Sequence, residues 1–453
     1  AIGAAQPRAR ADGVDESGTH CPGKRIRAAM EDVLGPAHNA AFQGDGDSLR
    51  GLALANLIAV GADGRTPAHI ASMEGHASCL HALHELGAAA SLSAADAKGR
   101  TSAHEAAWKG HVSCLHALHE LGAAASLSAA TADGRTPAHL AAVEGHEPCL
   151  HALHELGAAA SLSAADAKGR TSAHEAAWKG HVSCLHALHE LGAAASLSGV
   201  DAKGRTPAHL AAREGHASCL HALHELGAAA SLSAADAEGR PPAHFAAVKG
   251  HVSCLHALHE LGAAASLSAA DAEGRPPAHF AAVKGHVSCL HALHELGAAA
   301  SLSAADANGR TPAHAAALEG HVGCLHALHE LGAGASLLAA DANGGTPAHE
   351  AAWKGHVSCL HALHELGAAA SLSAATADGR TPAHLAAVEG HEPCLHALHE
   401  LGAGASLLAA DANGGTPAHE AAWKGHVSCL HALHELGAAA SLSAALQMEG
   451  RPR

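Results

Sequence analysis

The chain has 453 residues, 27 Lys and Arg against 43 Asp and Glu, a formal charge of −16 with His neutral, and only 2% aromatic residues with no Tyr. Binding to phosphates needs clustered cations, so this balance argues against nucleic acid as the main partner and favours basic faces on protein partners, although the 46 His would offset much of the charge in acid. Bulky side chains are too few to fill a large globular core, and no apolar run approaches about 18 residues, so no transmembrane span is expected.

Taken in order, residues 1 to 23 lack any period and read as a flexible or partner-dependent lead. The first residue is Ala, not Met, which is expected of a chain either processed, as by removal of a transit peptide, or recorded incompletely. Lys24 to Leu34 spaces Ile26, Met30 and Leu34 along one side of a short amphipathic helix that would cap the array. Gly35 to Gly61, with Pro36-Ala37-His38, Phe42, Leu49 and Leu52, reads as a shortened, degenerate copy of the unit that comes next, so 24–61 forms an N-terminal cap.

From 62 to 445 a 35-residue unit recurs eleven times, with one His at His69, His104, His139, His174, His209, His244, His279, His314, His349, His384 and His419. Such a period marks units that bury their apolar faces only against their neighbours. Each unit reads as two short helices and a hairpin-like loop. Thr136-Pro137 supplies a cap hydroxyl followed by Pro at the first helical position, where its missing N–H costs nothing. Gly145-His146 ends that helix, Pro148 opens the second, and Leu150, Leu153 and Leu156 are expected to line one face of it. Gly157 ends the second helix, and Asp166 and Gly169 form a tight turn in a small, polar loop. The last unit, Asp411 to Ala445, is of internal type, so either the tail 446–453 or a partner is expected over its open face.

The run DAKGRTPAHLAAREGH from Asp201 to His216 resembles the ankyrin repeat, D-x-x-G-x-T-P-L-H-x-A-A-x-x-G-H followed by a Leu-rich second helix ending in G-A. The resemblance implies an all-α, ankyrin-type α-solenoid of helix-turn-helix repeats with long hairpin-like loops. Two departures carry expectations. Ala replaces the family's Leu after Pro throughout, which predicts a thinner core, and the unit exceeds the common period of about 33 residues by two, which predicts a longer finger.

The resemblance gives His139, His146 and their equivalents structural hydrogen bonds to loop backbone and the Thr hydroxyl. The pairs typified by His116 and His119 fall outside the family pattern, share one helix face at i, i+3, and would align into a stripe. A Zn²⁺ or Cu²⁺ bridge there with Glu120 is conceivable, but the spacing matches no zinc signature, so no metal or cofactor is assigned. The eleven repeat Cys (Cys79, Cys114, Cys149, Cys184, Cys219, Cys254, Cys289, Cys324, Cys359, Cys394, Cys429) read as compact apolar residues too far apart for disulfides, with Cys21 the one expected to be exposed. Free thiols in this number suggest an intracellular, reducing compartment, cytoplasmic by default, with a plastid as the alternative. No nucleophile, base and orienting group recur together outside the repeat and no phosphate loop is present, so the chain is not expected to be an enzyme.

Differences between otherwise near-identical units concentrate at the residue before the turn Gly, such as Lys98, at the residue after it, such as Arg100, and at the two positions before G-H. In the family these positions line the concave face of loops and first helices, and that face is the candidate protein-binding surface here. Its candidate residues are Trp108, Lys109, Trp178, Lys179, Arg213, Trp353, Lys354, Trp423 and Lys424 with Lys98 and Arg100. Two readings of the Trp stay open: exposed interface anchors, or rings filling the volume left by the missing Leu. Phe245 and Phe280 read as packing, and Pro241 and Pro276, which replace the Thr cap, predict first helices that start less firmly. The expected function is a non-catalytic scaffold or linker that binds other proteins, with several subunits of a large complex among the partners considered. The alternatives are a metal- or pH-responsive His array and a structural spacer in a large, organellar assembly.

Overall fold

The computed structural model describes residues 35–438. The expected lead (1–23), the helix over Lys24 to Leu34, Cys21 and the tail (446–453) lie outside the described residues. Those described are helical, with no strand among them, and form two compact units, one ending at Thr131 and one beginning at Ala132. The first unit holds the degenerate copy, with helices Pro36–Gln43, Gly46–Arg50 and Leu54–Leu57, followed by two full repeats. The second holds nine, from Pro137–Glu144 to Val427–Glu435.

Each first helix starts as the cap residues dictate. Thr136 is extended at φ −97° and ψ 167°, Pro137 follows at the first helical position, and His139 completes a capping box in the place usually held by Glu or Gln. The Thr136 amide donates to His139 Nδ1 at 3.1 Å, and the Thr136 hydroxyl lies 2.9 Å from the same nitrogen while donating to the Ser161 carbonyl at 3.1 Å. His139 Nε2 lies 2.9 Å from the carbonyl of Arg170 in the next repeat. A carbonyl can only accept, so Nε2 carries the proton and the ring is the neutral tautomer, with Nδ1 free to accept. The same set recurs in the first unit around Thr66, His69 and Arg100.

The His of G-H ties repeats in the other direction. His111 Nε2 donates to the Met73 carbonyl at 3.1 Å in the first unit, and His181 Nε2 donates to the Val143 carbonyl at 3.2 Å in the second. Its ring lies against the Gly that ends the previous first helix. Gly75 has φ +84°, and a Cβ there would sit 2.8 Å from the His111 ring, so both the backbone conformation and the close approach require Gly.

The core is thin, as the Ala-for-Leu departure predicts: Ala106, Ala107, Cys114, Leu115, Leu118 and Leu127 are fully buried in one repeat. The expected third core leucine is corrected. Leu156 is only half-buried and lies beyond the helix Glu147–Leu153, because a step of six residues on a 3.6-residue helix turns about 120° from the starting face. Leu162, from a short helical turn over Ala160–Ser163, fills that place at 0% exposure. This turn also departs from the expected longer finger. The first part of the loop is wound inward and pinned by Ser161 Oγ donating to the Ala158 carbonyl at 2.7 Å.

Where Pro replaces Thr, the cap is incomplete. Pro241 and Pro276 adopt the same extended backbone as the Thr caps, but each lacks both the hydroxyl and the amide proton, and Nδ1 of His244 and of His279 is left buried without a partner. Pro241→Thr with Pro276→Thr should therefore raise stability by about 1 kcal/mol per site, the cap gain being partly offset by the looser unfolded chain. The check is the urea midpoint; an unchanged or lower midpoint would contradict this account of the cap.

Candidate binding face

The fingers and first helices share one face of each unit. At a finger, Asp96 Oδ1 accepts from the amides of Lys98 and Arg100, each at 2.8 Å, closing an Asx-type turn with Gly99 at φ 77°. Neighbouring fingers are linked by backbone, with the Ala97 amide donating to the Asp63 carbonyl at 3.1 Å and the Ala202 amide to the Lys168 carbonyl at 2.8 Å. Burial pushes the Asp96 carboxyl up, but the amides of Arg100 and Lys98 and the Arg100 guanidinium outweigh it and hold the group below its ordinary value.

The structure separates the expected binding residues into two kinds. Arg100 is committed within the molecule: Nε donates to Asp96 Oδ2 at 2.9 Å, Nη1 lies 3.2 Å from Glu105 Oε1, and the backbone carbonyl receives the His69 proton. Lys98 is exposed on the finger. Arg213 is half-exposed, with Nε 3.3 Å from Glu214 Oε1. The four Trp occupy the same position of their first helices. Trp108 and Trp178 are half-buried, whereas Trp353 and Trp423 are 37% and 66% exposed. Each carries the ammonium of the following Lys over its ring, Lys109 at 4.1 Å, Lys179 at 4.4 Å, Lys354 at 4.1 Å and Lys424 at 4.7 Å, and Trp178 Nε1 also donates to Glu214 Oε1 at 3.2 Å. Such a cation over a ring contributes about 0.5–1 kcal/mol at an exposed site.

A carboxylate outside the candidate binding residues accompanies each Trp. Glu105, Glu175, Glu350 and Glu420 are buried one turn before Trp108, Trp178, Trp353 and Trp423. Glu105 Oε1 is 3.3 Å from Arg65 Nη2 and 3.2 Å from Arg100 Nη1, and Glu175 Oε1 is 3.0 Å from Arg170 Nη1. Glu350 and Glu420 each meet a single Arg of the preceding repeat, Arg310 at 2.8 Å and Arg380 at 3.1 Å, because Gly345 and Gly415 stand where their own finger Arg would be. Burial raises Glu105, Glu175 and Glu350 above the ordinary carboxylate value, against the opposing pull of these Arg. The desolvation of a buried carboxylate amounts to several kcal/mol, so these pairs favour register between fingers more than stability. The available signal was the strict pairing of Glu with Trp three residues on, in four of the units.

Phe245 and Phe280 are half-buried. Each ring meets the buried His of the preceding repeat edge-on, with centroids 5.4 Å apart for both His209–Phe245 and His244–Phe280.

On the second helices, His116 is half-buried and His119 and Glu120 are exposed. His151 Nε2 lies 3.3 Å from Glu147 Oε1, and among the described residues no group of three or more His, Cys, Asp or Glu is arranged to hold a metal ion. The eleven repeat Cys are buried and none forms a disulfide among the described residues, and burial pushes thiols such as Cys114 and Cys184 up to about 12, far from the thiolate form that reacts.

Stacked helix pairs joined by fingers, repeated every 35 residues, define a helical repeat protein. A family model for ankyrin repeats in three copies matches residues 37–129, 278–374 and 348–443, and one for ankyrin repeats in many copies matches 138–189, 209–259 and 243–294. These matches cover more than half of the chain, which belongs to the ankyrin repeat family. Among solved structures, the crystal structure of the human ASB11 ankyrin repeat domain is similar at 30% identity over 50% of this chain and 98% of its own, with a TM-score of 0.43. No curated protein matches. Ankyrin repeats generally mediate protein–protein interactions and are typically non-catalytic. No helix of the described residues is long and apolar enough to cross a membrane.

The buried capping histidines set a pH dependence. Burial pushes His209 and His244 down to about 4, and His69, His139, His174, His279, His314, His349 and His384 also lie below their ordinary value for the same reason. A depressed His binds fewer protons folded than unfolded, so its contribution is complete above pH about 6.5 and is lost as pH falls towards about 4. Glu105, Glu175 and Glu350 act with the opposite sign, but these three are outnumbered by the nine histidines among the described residues. Thermal melts by circular dichroism should therefore fall steadily from pH 7 to 4.5, by more than about 10 °C; a melting temperature flat over that range would contradict the assignment.

Proposed function

We propose that this chain is a non-catalytic scaffold that receives partner polypeptides on its finger and first-helix face, the concave surface of the ankyrin type. The observation that carries this reading is the placement of Trp108, Trp178, Trp353 and Trp423 at one position of that face, each with the ammonium of the following Lys over its ring at 4.1–4.7 Å. A Lys is easily displaced by a partner side chain, which then buries a large, rigid ring at little entropic cost. Lys109, Lys179, Lys354, Lys424, Lys98 and Arg213 supply exposed or half-exposed cations at the rim, while Arg100 holds the finger in shape.

Repetition of the anchor supports a partner that is itself extended or repeated, such as several subunits of a large complex. The inert, buried thiols support a reducing intracellular location. In this reading 24–61 is the N-terminal cap, 62–445 the binding array, and the segments at either end lie outside it.

The test is quantitative capture of native partners on the purified full chain, with cross-linking mass spectrometry to locate the contacts. Changing all four Trp to Ala should reduce capture at least tenfold, and the four Lys→Glu changes, which leave the packing intact, should reduce it as well. Undiminished capture by both variants would refute the reading.

A further inference from the structure

Where two units of identical sequence PPAHFAAVK stack, the face opens into a pocket that the other described repeats lack the side chains to build. The two copies are 241–249 and 276–284. The cavity is about 190 Å³ and is lined by Arg213, Arg240, His244, Phe245, Val248, Lys249 and Phe280. We propose that it seats one apolar side chain of a partner polypeptide, held between acidic residues of that partner. The proposal rests on the reading of this face as a protein-binding surface and adds the chemistry of one partner.

Size decides against a small-molecule site. Ligand and cofactor pockets span about 300–1,000 Å³, and this one has room for a single side chain. Its floor is apolar and pre-organised, since the Phe245 and Phe280 rings are fixed edge-on against His209 and His244 with centroids 5.4 Å apart. A rigid, half-exposed apolar floor inside a polar rim is the arrangement of an interface anchor site.

The rim decides the flanking charge. Every ionic side chain that lines the pocket, Arg213, Arg240 and Lys249, is cationic. Their acidic neighbours stand outside the lining: Asp236 and Glu238 take Arg240 Nη2 at 2.8 and 2.7 Å, and Glu214 takes Arg213 Nε at 3.3 Å. An Arg has five N–H donors, so Arg213 and Arg240 keep donors for further carboxylates. Lys249 is exposed with no ion pair among the described residues. The formal charge of −16 does not reverse this preference at contact, because charges beyond about 8 Å are screened at physiological salt.

The experiment selects random 12-residue peptides displayed on phage against the full-length chain, and then measures synthetic versions of the enriched sequences by fluorescence anisotropy. Peptides with Leu, Ile, Met or Phe flanked by Asp or Glu should be enriched. Their affinity should fall at least tenfold on Arg213→Glu with Lys249→Glu, and on Phe280→Ala. The charge reversals lie at exposed or half-exposed positions, and an unchanged melt confirms that the variant is folded. The same peptides should still bind the chain with its four Trp changed to Ala. Enrichment of basic peptides, absence of any enrichment, or affinity indifferent to the charge reversal would overturn the proposal. If these peptides fail while the Trp variant loses its native partners, the pocket is wrong and the binding face stands; if the Trp variant also keeps its partners, both are wrong.

Discussion

Paired histidines, which in most of the described repeats donate from Nε2 to a backbone carbonyl of a neighbouring repeat, are the interaction on which the stacking depends. One points forward, as His139 does to Arg170, and the other points back, as His181 does to Val143. An Ala-rich first helix offers little apolar area to its neighbours, so contact between repeats cannot come from large interlocking side chains alone. The imidazole suits this task because a single ring caps its own helix through Nδ1 and bridges to the next repeat through Nε2. Acceptance at Nδ1 requires the neutral form, and burial favours the same state, so chemistry and burial agree in keeping the capping rings unprotonated.

With register held by backbone carbonyls and finger amides, the surface positions before G-H and beside the turn Gly are released from structural duty. Variation collects there, and so do the side chains that recognition uses: Trp under a Lys, Arg in mixed pairing, Phe against a His. The buried Glu beneath each Trp is an intermediate case. It draws Arg65 and Arg100 together between adjacent fingers, so the finger cations are ordered from below before any partner arrives. The Pro caps at Pro241 and Pro276 are the opposite case, a local loss of capping in the two units that build the Phe-floored pocket.

The features legible in the amino-acid sequence were those governed by local rules. The period, the Thr-Pro start of each first helix and the Gly that ends each helix follow from short-range chemistry, whereas the structural role of the capping His was implied by the resemblance. The fold class followed from them and from the resemblance. What escaped depended on angles accumulated over longer stretches or on neighbours 35 or more residues away. Leu156 looked periodic but rotates off the buried face, and Leu162, in a segment that read as polar loop, replaces it through a helical turn. Glu105 was an ordinary helix residue until the Arg of two fingers were placed against it. Phe245 and Phe280 were apolar residues whose half-exposure depends on the stacking of two copies with the same substitution. The Trp exposure was likewise not legible, since the same residue at the same helix position is half-buried at Trp178 and exposed at Trp423.

The most direct test of the central claim is the tautomer and titration of the imidazoles, read from long-range proton–nitrogen correlations of the ¹⁵N-labelled chain. The account predicts that capping histidines such as His209 are protonated on Nε2 and not on Nδ1 at pH about 7, and that His209 and His244, which burial pushes down to about 4, stay neutral at pH about 5.5. Common titration of all histidines near pH about 6.5, or Nδ1–H rings at the capping positions, would contradict it.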